Sequence, residues 1–304
     1  MNILDKNKIL NISRHGYEDL MKLENVNAVG LGYKYVNYRN TGELALHVLV
    51  EKKLDKSILN NRNLIPKNYM NVQTDVIEIG KVYSHALTSM VRPLMGGYSI
   101  GPTGYPWGGT LGCIVTKGTG LNKQYFILSN NHVLANGNLL PLGTSISQPA
   151  SIDAVSNAST AIAMLTQYIK INFTTTPNTV DCAISQITNP SIITNKIALL
   201  GAPVGVANPK LNTTVQKVGR TTGLLKGKVR TIGATVQVDY GSGRIATFTN
   251  QILSDPISQP GDSGSLVLDA KMNAVGLLFA GSSSVTVFNN FNAVLSALNI
   301  SLFL

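Results

Sequence analysis

Cysteine is scarce: the 304-residue chain has two, Cys113 and Cys182. A disulfide framework is therefore excluded as the basis of the fold, and the apolar, strand-like surroundings of both thiols mark them as buried core residues. Charged residues make up only 13% of the chain against 44% hydrophobic, which excludes a disordered polymer. Acids are fewer than bases, 15 against 25, and the resulting charge of +10 invites a nucleic-acid or membrane partner. The excess is nevertheless spread along the chain, with 13 bases to 9 acids in residues 1–95 and 12 to 6 in residues 96–304. Its densest run, Lys210, Lys217, Arg220, Lys226, Lys228 and Arg230, lacks the interleaved aromatics that stack bases, so it reads as a solvated strand face and argues against nucleic acid. No window has the apolar length of a membrane span, and the first twenty residues hold no continuous apolar stretch of signal-peptide length. With so few cysteines, the expectation is a cytoplasmic protein without membrane attachment. The four histidines are scattered without zinc-ligand spacing, so neither a metal nor another cofactor is expected.

What is present changes character along the chain. The first part mixes periods: Ser13 is placed to cap a short helix carrying Tyr17, Leu20 and Met21, and two alternating runs, VGLGYKY and LALHVLVEKK, predict strands. With a further strand at Asp75–Ile79, residues 1–85 read as a small α/β unit. From about Leu94 helical periodicity nearly vanishes. Short β-rich runs such as LGCIVTKG, YFILSNNH, VDCAISQI and AVGLLFAG alternate with Gly, Asn, Thr and Ser clusters, which argues for barrels or a sandwich. Two helices interrupt this texture: a short one within residues 156–169, and a closing one after Asn290 with Phe291, Val294, Leu295 and Leu298 at helical spacing.

Chemistry concentrates in SQPGDSGSLV, where glycines and a proline bracket Asp262 and Ser263 ahead of an apolar strand. A serine nucleophile needs a base to take its proton and a carboxylate to orient that base. YFILSNNHVLA supplies His132, emerging from an apolar strand into a polar turn, and NTVDCAISQI supplies Asp181 ahead of another strand. Asp153, Asp239 and Asp255 lack the following apolar strand or the right order. Asn130 and Asn131 read as turn formers, and Cys182 as a core residue pointing away from its neighbour Asp181.

The segments LSNNHVLA, VDCAIS and GDSGSLV, in this order, resemble the trypsin-like serine proteases of the chymotrypsin fold. KVGRTTGLLKGKV, RPLMGGYSIG, GTLGCIV and GLLFAGSSS are similar to the bacterial intracellular branch related to the plant narrow-leaf protein, and the front unit resembles the one attached to those proteases. The resemblance implies a mainly β protein, with two six-stranded antiparallel barrels in residues 95–304: barrel 1 at about 108–205, barrel 2 at about 210–288, and a final helix at about 290–300. It implies a His132–Asp181–Ser263 triad, an oxyanion hole from the N–H groups of Gly261 and Ser263, and a buried ion pair in which Arg220 supports Asp262. By the same resemblance Ile257 floors the first substrate pocket, with walls from Phe279, Ala280, Gly281, Ser282 and Ser283. An Ile floor without an acid predicts a small or medium apolar residue before the cut. The function so implied is a serine endopeptidase restricted to specific intracellular protein or peptide substrates, with residues 1–85 regulating it or docking a partner. A latent or inactive binding module on a protease fold is the alternative, against which stands the complete set of three residues.

Overall fold

The computed structural model describes residues 3–37, 39–55, 57, 59–60, 63–80, 87–154 and 160–304. The chain divides into two compact units, Met1–Ser84 and His85–Leu304. The first contains α1 (Ile3–His15), α2 (Glu18–Met21), β1 (Val26–Val36), β2 (Arg39–Val50), β3 (Asn68–Tyr69) and β4 (Val72–Glu78). Its sheet runs β1-β2-β4-β3, with β2 and β4 parallel and the other pairs antiparallel. Alternation along β2 turns Leu46, Val48 and Val50 onto Ile9, Ile12 and Leu20 of the helices, forming this unit's core. Ser13 lies inside α1 and donates to the Leu10 carbonyl, so it is not the cap expected from the sequence.

The second unit begins with β5 (Leu94–Gly96), β6 (Ser99–Pro102), β7 (Gly109–Thr110), β8 (Cys113–Lys117), β9 (Gln124–Ser129), α3 (Asn131–Leu134), β10 (Ser145–Gln148), β11 (Thr160–Tyr168), β12 (Ala183–Ile187) and β13 (Ile193–Ile197). It continues with β14 (Gly205–Val206), β15 (Thr214–Gly219), β16 (Gly223–Asp239), β17 (Ile245–Ser254), β18 (Leu266–Asp269), β19 (Asn273–Gly281), β20 (Thr286–Asn290), α4 (Phe291–Leu298) and β21 (Ser301–Leu302). The order β8-β9-β12-β11-β10-β6-β7 closes on itself, because β7 and β8 belong to one segment that pairs with β6 at one end and β9 at the other. Barrel 1 therefore starts at β6, ahead of the expected residue 108. The second ring, β15-β16-β17-β20-β19-β18, closes where β18 meets β15 again, with every pair antiparallel. Both barrels are six-stranded.

Side-chain alternation explains why several barrel-1 strands are apolar on both faces. Ile114 of β8, Ile127 of β9 and Ala183 of β12 fill the barrel interior. Their neighbours Cys113, Val115, Phe126, Leu128 and Ile184 pack outward against Val218, Leu266 and Leu277 of the second barrel and against Phe291, Val294 and Leu298 of α4. Each such side chain, fully buried, contributes about 1.5–3 kcal/mol relative to exposure. Asn290 caps α4, its Oδ1 accepting from the N–H of Asn292. The helix expected within residues 156–169 is absent over its described part: Thr160–Tyr168 is β11, in which Ile162 and Leu165 join the barrel core. Residues 156–159 lie outside the described residues. Among the described residues no helix is long and apolar enough to cross a membrane.

Candidate active site

Strand pairing brings the first two chemical groups together. β9 and β12 are antiparallel with Ala183 opposite Ser129, so Asp181, two residues before Ala183, and His132, three after Ser129, leave the same end of the pair. His132 Nδ1 lies 2.6 Å from Asp181 Oδ2, and the His132 N–H donates to Oδ1 at 3.2 Å. The Asp181 carboxylate is fully buried and also accepts the Tyr240 hydroxyl at 2.9 Å on Oδ2. Its backbone is pinned as well, with Asn130 Nδ2 donating to the Asp181 carbonyl and the Asp181 N–H donating to Asn289 Oδ1. Asn130 and Asn131 are thus buried struts rather than simple turn formers, since Asn131 Nδ2 also bonds Asn138 Oδ1 and the Ile169 carbonyl.

Ser263 sits in a pair of tight turns. The Asp262 N–H donates to the Gln259 carbonyl and the Ser265 N–H to the Asp262 carbonyl, each closing a four-residue turn. The third residues of these turns, Gly261 and Gly264, have φ of +98° and +94°, values that a side chain would strain. The N–H groups of Gly261 and Ser263 consequently donate to no protein group among the described residues and remain available to a ligand oxygen. Barrel 1 grips the turn through Thr110. Its hydroxyl donates to the Gly261 carbonyl at 2.9 Å and its N–H to the Ser263 carbonyl at 2.8 Å. Ser263 and His132 line one cleft with Trp107, Gly261 and Phe279. His132 Nε2 and Ser263 Oγ have no hydrogen-bond partner among the described residues.

The expected Arg220–Asp262 pair is not formed; the cation on Asp262 is Lys217, at 2.7 Å with both side chains fully buried. Strand alternation decides this. Lys217 and Gly219 share one face of β15, and a Cβ on Gly219 would fall 2.4 Å from Asp262 Oδ1, so that face abuts the carboxylate. Arg220 lies one residue out of phase and forks onto Asp153 of barrel 1 through Nε and Nη2, each 2.5 Å from an oxygen. Asp262 also accepts from the Thr221, Thr222 and Gln259 N–H groups and the Thr222 hydroxyl. Burial pushes the Asp262 carboxyl upward, but the Lys217 charge and hydrogen bond, with the Thr222 and Gln259 donors, outweigh it and hold the group below the usual range. Burial pushes the Lys217 ammonium down, against the opposing pull of Asp262.

Ile257 does not floor a pocket. It is 3% exposed and packs in the barrel-2 core with Val215, Val229 and Ile252, because neighbouring residues of this extended segment face alternately inward and outward. The cavity beside Ser263, about 570 Å³, is lined instead by Ser258 with Ala280, Gly281, Ser282 and Ser283, and Ser258 Oγ hydrogen-bonds Thr286 Oγ1 at 2.7 Å. Phe279 is 3% exposed and packs at a tilt against Phe248, edging the His132 cleft rather than this cavity. Cys113 and Cys182 are buried free thiols whose burial raises their pKa. Among the described residues no cluster of ligating side chains could hold a metal. Sequence reading missed Lys217, Asp153, Thr110 and Tyr240. The one usable signal was strand phase, which separates Lys217 from Arg220.

The model of the Trypsin family matches residues 95–298. Over 80 residues the chain is 40% identical to Serine protease 2 of Streptomyces fradiae, a stretch covering 26% of this chain and 43% of that relative, so less than half of the relative's length is spanned. Among solved structures, a glutamic acid specific serine protease superposes with a TM-score of 0.52 at 20% identity, covering 69% of this chain and 100% of its own. A Nocardiopsis protease gives 0.51 at 19% identity over 69% of this chain and 98% of its own. At such identities the two structures establish the double-barrel fold alone. The family match spans nearly all of the two-barrel unit, and the chain belongs to the trypsin family.

Proposed function

We propose that the protein is a serine endopeptidase in which Ser263 Oγ attacks the scissile carbonyl of a protein substrate. His132 Nε2 takes the hydroxyl proton and returns it to the departing amine, while Asp181 fixes the imidazole tautomer through Nδ1. The N–H groups of Gly261 and Ser263 receive the developing oxyanion, and water then releases the acyl group from Ser263. The observation that carries this reading is the 2.6 Å His132–Asp181 contact in the same cleft as Ser263, whose own N–H and that of Gly261 have no protein acceptor among the described residues. Labelling of Ser263 by a fluorophosphonate, abolished in His132→Ala, tests it.

The cavity beside Ser263 presents hydroxyls and no carboxylate, so the residue before the cut is uncharged or small rather than basic. Two buried free thiols support an intracellular setting. Residues 1–85 are proposed to regulate the protease unit or dock a partner. Cleavage kinetics unchanged on deleting them, with the remainder folded, would contradict that role. The open link between His132 Nε2 and Ser263 Oγ favours, as a second reading, a latent enzyme that a partner or substrate completes. A folded protein that resists fluorophosphonate until a peptide ligand is added would support it.

A further inference from the structure

The tip of the β16–β17 hairpin reaches the triad. Between the two strands, Gly241, Ser242 and Gly243 all take positive φ, and the Tyr240 N–H donates to the Arg244 carbonyl, so the chain reverses sharply just after Tyr240. That reversal drops the phenol between barrels. Its hydroxyl donates to Asp181 Oδ2 at 2.9 Å, the same oxygen that contacts His132 Nδ1, and its ring meets the imidazole edge-on at 5.7 Å. Phe173 and Phe248 pack against the other sides of the ring. Burial, then the Asp181 charge and hydrogen bond, push the phenol far above its usual value, so it remains a donor wherever the triad works.

We propose that Tyr240 is a positioning residue of the triad, its hydroxyl holding the Asp181 carboxylate in line with His132 and setting how strongly that carboxylate supports an imidazolium. The inference rests on the endopeptidase reading for its kinetic consequence, but the hydrogen-bond geometry stands apart from it. A carboxylate oxygen shared by two donors has less negative charge to offer either one. Removing the phenolic O–H therefore frees Oδ2 to hold a protonated imidazole more tightly, and also lets the carboxylate rotate away from the orientation that fixes the tautomer. The other ionisable groups around this cluster are few among the described residues. Cys182 adjoins Asp181 as a buried thiol, Arg244 stacks its guanidinium over Phe173, and Asp239 lines the same cleft. None of them hydrogen-bonds the Asp181 side chain.

The test is Tyr240→Phe, which keeps the ring and its packing. Two readouts are followed: the His132 imidazole resonances by NMR across pH, and kcat/KM against pH on a peptide substrate. The expected result is an imidazole titration displaced to higher pH, with kcat/KM lowered about tenfold through kcat, the size of one charge-assisted hydrogen bond. Site-specific 3-fluorotyrosine at position 240, a stronger donor, moves the titration the opposite way. Unmoved NMR titrations in both variants would overturn the proposal, since a packing role alone leaves them in place. Because the resonances report whether or not peptide is cleaved, failure of the endopeptidase reading remains distinguishable from failure of this one.

Discussion

Replacing Lys217 by Met isolates the contribution of the buried cation behind the oxyanion turn. Met fills a similar volume but leaves the Asp262 carboxylate, fully buried, without a countercharge. Breaking one side of such a pair costs about 3–5 kcal/mol. Four neutral donors remain on Asp262, from Thr221 N–H, Thr222 N–H and hydroxyl, and Gln259 N–H, which places the expected loss at the lower end, about 3 kcal/mol. In a unit of this size that corresponds to a fall in Tm of roughly 6–12 °C. The turn that carries Gly261 and Ser263 is anchored by the same carboxylate, so fluorophosphonate labelling should fall with it, by about 10²–10³ if one oxyanion donor is lost. Adding Asp262→Asn to Lys217→Met removes the stranded charge and should recover much of the stability, a coupling that a double-mutant cycle in urea denaturation measures directly. A loss below about 1 kcal/mol in Lys217→Met, or no recovery in the double variant, would refute the assignment of Lys217 as the partner of Asp262.

Further expectations follow from the same geometry. Arg220→Met, breaking a partly exposed pair with Asp153, should cost less, about 1.5 kcal/mol, and should retain more labelling than Lys217→Met in a side-by-side assay. The Asp262 carboxyl is held below its unfolded value, so the unfolded chain binds more protons in the window between the two and stability rises with pH there. Its stabilisation is complete above about pH 4 and is lost as pH falls through the folded value, so urea midpoints measured downward from that pH should drop in wild type and stay flatter in Asp262→Asn. At the alkaline end Lys217 discharges below the usual lysine range, and activity should decline there in wild type but persist in Lys217→Arg. A peptide library should show no preference for Lys or Arg before the cut, since the cavity beside Ser263 has no acid among its lining residues; strong basic preference would contradict that lining.

The segments holding His132, Asp181 and Ser263 stood out in the sequence because each sets a chemical side chain at a strand boundary: His132 follows β9, Asp181 precedes β12, and Ser263 precedes β18. Barrel texture was legible from short apolar runs separated by turn residues, and α4 from its spacing after a capping Asn290. What failed did so for local physical reasons. Two candidate cations for Asp262 lie three residues apart in sequence, and strand phase through β15 turns Lys217 onto that carboxylate and sends Arg220, just past the strand, onto Asp153. Ile257 rested on the family resemblance alone, whereas alternation in the extended segment Pro256–Ser258 turns it into the core and gives the cavity to Ser258. Ala161, Ala163, Met164, Leu165 and Gln167 give β11 a helical leaning, yet its partners β10 and β12 supply a ladder that overrides that preference. Tyr240 approaches Asp181 from a hairpin 59 residues away in sequence, a proximity that no local pattern encodes.

Whether Ser263 is an activated nucleophile is decided by fluorophosphonate labelling of the full chain, comparing wild type with Ser263→Ala and His132→Ala. The expected result is covalent labelling of wild type, mapped to Ser263 by mass spectrometry, and none in either variant. Equal labelling of wild type and Ser263→Ala, or label mapped to another serine, would contradict it.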